Sequence, residues 1–260
     1  MAGANVAKSA SSYPSPAATS PRRSISRWLV VVVLLCRPVF AATANAVAVA
    51  VAAALDADDP VRAAGGWWMV WGSAVDLGCL LVLKWAVGRE GISLLDLVGA
   101  RRGPLARQIG FGVLLIPALI PAIALLQGLT FLFYGGELPP QIALVDLPAW
   151  ASIYSILFWP LLWAFTEQAI YIGYAYPRLE VLKGRSLLTA IVVILVWSLQ
   201  HLALPFVPDA AYLVSRFLSV VPVAVTVIVL YRLLDRRVVP LMVFHWVADV
   251  FAALSPLLLK

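Results

Sequence analysis

From Ala149 to His201 the chain reads AWASIYSILFWPLLWAFTEQAIYIGYAYPRLEVLKGRSLLTAIVVILVWSLQH. Two apolar arms flank a short polar turn centred on Gly184. Glu167 stands 17 residues before that glycine and His201 stands 17 residues after it. If both arms are continuous helices rising about 1.5 Å per residue, the two side chains reach the same depth, about 25 Å from the turn. An antiparallel hairpin then sets a carboxylate and an imidazole side by side within the hydrocarbon of a bilayer.

The rest of the chain is built the same way. Of 260 residues, 63% are hydrophobic and 12% charged, against about 45–50% apolar and about 25% charged in a soluble domain. Soluble classes are excluded, and the expected fold is all-α, a polytopic transmembrane bundle of about seven spans. Cys36 and Cys79 both lie in apolar runs, which argues against a disulfide scaffold and offers no metal-type spacing. The formal charge of +6 is spread over the loops between spans, so the partner is the lipid bilayer and not nucleic acid.

Residues 1–27, rich in Ser, Ala and Pro and closing on Arg22, Arg23 and Arg27, read as a disordered basic tail. Trp28 to Leu55 would be about 42 Å long as one helix, and Arg37-Pro38 interrupts it, so an interfacial start and a span from about Cys36 are expected. A cleaved signal peptide is the rival reading, because Ala42-Thr43-Ala44 imitates a cleavage site; the uncleaved span is preferred since Val47 to Leu55 continues apolar. Further spans are expected at about 67–88, 109–134, 149–176, 186–204, 210–233 and 238–258, with Pro117, Pro121, Pro160 and Pro222 kinking their helices. The tail and the loops 89–108, 178–185 and 232–237 hold 4, 4, 3 and 3 Lys or Arg, while the alternate loops hold little besides Arg62. This places the N-terminus in the cytoplasm and the C-terminus outside a cell membrane. The chain divides into the tail 1–27, N-terminal transmembrane helices 28–148 and a core 149–260.

Ionisable groups inside a bilayer cost several kcal/mol unless paired or hydrated, so each marks a functional candidate. They are Asp76, Lys84, Glu167, His201, Arg216, His245 and Asp249. Lys84 and Arg216 lie near span ends, where long stems reach the interface. Asp76 has no partner at helical spacing, which leaves pairing with another helix or protonation open. His245 and Asp249, four residues apart, share a helix face. Counted from the inner end of the last span, His245 lies about 12–15 Å deep, shallower than Glu167 and His201. The chain contains no Gly-x-Ser-x-Gly elbow, no His-Glu-x-x-His and no clear aspartate pair, which leaves a Glu and a His able to polarise water, with a second His and an Asp to hold a developing oxyanion.

These residues resemble the CAAX protease and bacteriocin-processing family of intramembrane proteases, also called CPBP or Abi. Its three motifs are Glu-Glu-x-x-x-Arg, Phe-x-x-x-His and His-x-x-x-Asn or Asp. Glu167-Gln168 with Ile172-Gly173 is similar to the first, Trp197-Ser198-Leu199-Gln200-His201 to the second, and His245-Trp246-Val247-Ala248-Asp249 to the third. The surrounding Gly173-Tyr174, Pro177-Arg178-Leu179, Tyr231-Arg232 and Val239-Pro240-Leu241 are similar too; the likeness covers about 149–251 and the first three spans add little to it. Three positions depart: Gln168 replaces the second Glu, Ile172 the Arg and Trp197 the Phe. Gln168 and Ile172 are i and i+4, so relatives can form an intrahelical ion pair there, and losing both partners together strands no charge.

The resemblance implies that Glu167 is the general base acting on water with His201, and that His245 and Asp249 bind and stabilise the tetrahedral intermediate. The implied reaction is hydrolysis of peptide bonds in membrane-associated peptide or protein substrates, prenylated CAAX tails among them. No cofactor is expected, although Glu167, His201 and His245 would equally satisfy a catalytic zinc site with one water position free. Two other classes stay open: a non-catalytic membrane protein of the same fold in an immunity or scaffold role, motivated by Gln168 and Ile172, and a small proton-coupled transporter using the same buried Glu and His.

Overall fold

A computed structural model describes residues 25–136, 147–184 and 186–258. Residues 1–24 of the tail expected over 1–27, and the basic residue Arg185, lie outside the described residues, and Arg27, the last residue of that tail, already belongs to the first helix. Among the described residues seven helical segments carry the fold: α1 (Arg27–Ala54), α2 (Trp68–Arg89), α3 (Leu105–Phe133), α4 (Ala149–Lys183), α5 (Ser186–Gln200), α6 (Ala210–Leu233) and α7 (Val239–Leu258). Five of them are long and apolar enough to cross a membrane, and α5 and α7 are shorter apolar helices. The chain is a multi-pass helical membrane protein, as its composition demands.

One expectation is corrected at α1. Arg37-Pro38 does not interrupt it, and the 28 residues from Arg27 to Ala54 form a single helix with Pro38 inside. Proline removes one backbone donor, but in lipid any non-helical backbone would expose several unsatisfied groups, so continuing the helix costs less. Of the other prolines expected to kink their helices, Pro117 and Pro160 coincide with breaks in regular helix, whereas Pro121 and Pro222 lie within continuous helical stretches. In α3, Pro117 sits in a 3-10 turn, Ile116–Ala118. In α4, Pro160 opens a new helical stretch after a break at Phe158.

Segment α4 is the centre of the bundle, packed by α1, α2, α5 and α7. Segment α3 lies across the outside, its first half against α7 and its second half against α6. Gly112 permits the first contact: a β-carbon there would lie 2.5 Å from Val243 Cβ and 2.6 Å from the Pro240 carbonyl oxygen. The hairpin between α4 and α5 turns at Gly184, whose φ of +60° is the left-handed conformation that glycine adopts without strain.

Within α4, Gln168–Ala175 is wound as π-helix and all eight residues are buried. Such windings are rare and recur at functional sites. This stretch carries most of the first motif. Two contacts brace it. The short helix Leu94–Leu97, closed by a reciprocal Ser93 and Asp96 capping box, packs Leu97 against Gly173; the Ser93 hydroxyl holds the Asp96 carboxyl below its ordinary range. At the end of α2, Glu90 accepts from the Arg178 Nε, at 2.9 and 3.0 Å, and from the Tyr174 hydroxyl at 3.0 Å, while the guanidinium covers the Tyr174 ring at 3.8 Å.

Candidate active site

Glu167 lies on α4 one residue before the π stretch and is fully buried. Three nitrogens surround its carboxylate. Trp197 Nε1 donates to Oε2 at 2.6 Å, Gln200 Nε2 donates to Oε1, and Arg37 Nη1 stands 3.1 Å from Oε1. Gln200 is itself oriented, because its Oε1 accepts from the Tyr171 hydroxyl at 2.8 Å. Tyr171 in turn stacks on Trp197 with ring centroids 5.2 Å apart. Tyr171 and Gln200 therefore aim an N–H at Glu167 through a chain of buried hydrogen bonds.

His201 follows the end of α5, with Nε2 3.8 Å from Glu167 Oε1. His245 on α7 places Nε2 3.6 Å from Glu167 Oε2 and 3.5 Å from Asp249 Oδ2. All four expected site residues thus meet in one cluster. The depth expected for His245 is corrected by where α7 begins. Val238 contacts Gly173, its Cγ2 3.7 Å from the position of a β-carbon there, so α7 starts level with Gly173 and not with the Gly184 turn. Glu167 lies six residues above Gly173 and His245 seven above Val238, which brings them to one height. The last turns of α4 project past the start of α7, where Glu180 meets Arg232 at 2.8 Å and Arg236 at 3.0 Å.

The sequence left Asp76 without a partner and overlooked Arg37. The structure pairs them: Arg37 Nη2 is 2.7 Å from Asp76 Oδ1, and both side chains are fully buried. Arg37 also covers the Trp163 ring at 4.0 Å. None of its three side-chain nitrogens is aligned for a hydrogen bond, so these contacts are ionic. An arginine from α1 therefore faces Glu167 in a chain whose own motif has Ile172, buried among apolar residues, where relatives have arginine. Two observations in the sequence pointed to it: a lone Arg and a lone Asp in separate apolar runs, and a motif short of one arginine. Trp197, the third departure, supplies an indole N–H that phenylalanine lacks.

Each Glu167 oxygen already faces N–H donors, a guanidinium stands beside it, and His245 Nε2 is turned toward two carboxylates. Among the described residues no three His, Cys, Asp or Glu side chains are grouped to hold a metal ion.

No curated protein and no solved structure matches the chain. Residues 148–251 match the family model described as type II CAAX prenyl endopeptidase Rce1-like. That span contains Glu167, His201, His245 and Asp249 and leaves out Arg37 and Asp76. On this match, residues 148–251 are similar to the CPBP/CAAX family of membrane proteases.

Proposed function

We propose that the protein is an intramembrane endopeptidase that hydrolyses peptide bonds of membrane-associated substrates, prenylated C-terminal tails among them, through a water held between Glu167 and His201. The observation that supports it most is the convergence of His201 and His245 on Glu167, their Nε2 atoms 3.8 and 3.6 Å from its carboxylate oxygens. His201 Nδ1 lies 3.0 Å from the Trp197 carbonyl and donates to it, which leaves Nε2 bare toward Glu167. A water bound by both groups loses its proton to Glu167 as its oxygen attacks the scissile carbonyl carbon. The oxyanion then accepts from His245 Nε2–H, with Asp249 on the same helix face beside it. Collapse breaks the C–N bond, and the proton held by Glu167 passes to the leaving amine.

Arg37 supplies the counter-charge for the Glu167 carboxylate and is a positioning residue, as are Trp197 and Gln200. In this reading residues 149–260 form the catalytic core and 28–148 lend it Arg37 and Asp76. The basic loops set the N-terminus on the cytoplasmic side of a cell membrane. The reaction is metal-free.

The test is cleavage of a library of prenylated, unprenylated and membrane-anchored peptides by detergent-purified protein, with Glu167→Ala as control and chelator added in parallel. Cleavage that requires Glu167 and survives chelation supports the proposal. No cleavage by folded protein, with a library validated on an active relative, would overturn it in favour of a non-catalytic role; loss on chelation would overturn the metal-free step.

A further inference from the structure

The two histidines are held by opposite ring nitrogens. At His201 the Trp197 carbonyl, 3.0 Å from Nδ1, can only accept and lies closer than the Gln200 amide nitrogen at 3.4 Å, which is spent on Glu167, so the ring proton sits on Nδ1. At His245 the geometry is reversed. Nε2 faces two carboxylate oxygens, Glu167 Oε2 at 3.6 Å and Asp249 Oδ2 at 3.5 Å, so the proton sits there and Nδ1 keeps its lone pair. The side-chain amide of Gln168 meets that lone pair, with Nε2 3.0 Å from Nδ1. Gln168 is fully buried at the start of the π stretch.

Glutamine and glutamate differ here in one decisive respect. The amide gives a hydrogen to Nδ1. A carboxylate has none to give, and in that place would accept from Nδ1–H and draw the ring proton away from Nε2. The departure at 168 therefore changes which nitrogen of His245 points a hydrogen into the site.

We propose that Gln168 is a positioning residue that fixes His245 in the Nε2–H tautomer, committing this histidine to hydrogen-bond donation and withdrawing it from service as a base or a metal ligand. The assignment deepens the hydrolase reading and rests on it for its catalytic meaning. It also gives the missing second glutamate a function, since the same substitution removes a carboxylate from a site already crowded with Asp76, Glu167 and Asp249.

The chain has two histidines in all, which makes the test direct. Protein labelled with ring-15N histidine, carrying a non-histidine affinity tag and held in lipid nanodiscs, is examined by 15N NMR, with His201→Phe to assign the rings. Two neutral rings of opposite tautomer are expected, Nδ1–H at His201 and Nε2–H at His245. In Gln168→Glu the proton of His245 moves to Nδ1 while His201 is unchanged, and kcat falls about 10²–10³-fold with KM within about threefold. Nδ1–H at His245 in the unaltered protein, or Nε2–H retained in Gln168→Glu, overturns the proposal. A protein that shows these tautomers but cleaves nothing upholds Gln168 and overturns the hydrolase reading; one that cleaves with Nδ1–H at His245 does the reverse.

Discussion

Replacing Arg37 by Met removes the guanidinium that faces both Asp76 and Glu167. The three side chains are fully buried, with Arg37 nitrogens 2.7 Å from Asp76 and 3.1 Å from Glu167. Removing one partner of a buried pair leaves an uncompensated charge and costs about 3–5 kcal/mol, and the lost Trp163 contact adds about 0.5–2 kcal/mol. Taking the charge alone, at about 2–4 °C per kcal/mol for a chain of this size, the midpoint of thermal unfolding should fall by about 6–20 °C. The double variant Arg37→Met with Asp76→Leu separates the two contacts. An apolar replacement of a whole buried pair is often neutral, so much of the stability should return, while Glu167 still lacks its counter-charge and cleavage stays at least tenfold below the unaltered protein. Thermal unfolding in nanodiscs and cleavage rate are measured together. A shift under 2 °C in the single variant, or full recovery of cleavage with stability in the double variant, refutes the assignment of Arg37.

Three further outcomes follow from the same geometry. Gly112→Ala forces a β-carbon onto Val243 and the Pro240 carbonyl and should destabilise the packing of α3 on α7 by about 1–3 kcal/mol, read as a lower unfolding midpoint. Trp197→Phe restores the residue of the family motif but deletes the N–H 2.6 Å from Glu167; losing a hydrogen bond to a charged group, about 1.5–3 kcal/mol, should slow cleavage roughly tenfold to hundredfold with little change in KM. Asp249→Asn, which keeps the shape and an amide hydrogen, should hold cleavage within about tenfold, whereas Asp249→Ala should lose about 10²-fold or more, both read on one substrate under matched conditions.

The spans were legible because a bilayer leaves the chain few choices: an apolar run of sufficient length must be helical, and the loop charges punctuate it. The Gly184 turn was legible for a local reason, and equal arm lengths then brought Glu167 to His201. His245 was misjudged in height because depth was counted from a loop, while α7 begins at Gly173, a matter of how α4 overhangs its neighbour. The π winding over Gln168–Ala175 has no periodic trace, since every residue in it is buried and neither face is marked by polarity. Arg37 was read as a break because an ion pair between α1 and α2 is a contact between helices, which spacing along one helix does not record. Gln168 and Trp197 were visible only as departures, and their meaning came from the atoms they face, His245 Nδ1 and Glu167 Oε2.

The most direct test of the account is the isosteric variant Glu167→Gln on a single cleaved substrate, compared with the unaltered protein at equal thermal stability. The carboxylate is the proposed base, so kcat should fall about 10²–10⁴-fold while substrate binding persists. Cleavage within threefold of the unaltered rate would show that water is activated elsewhere and would contradict the site.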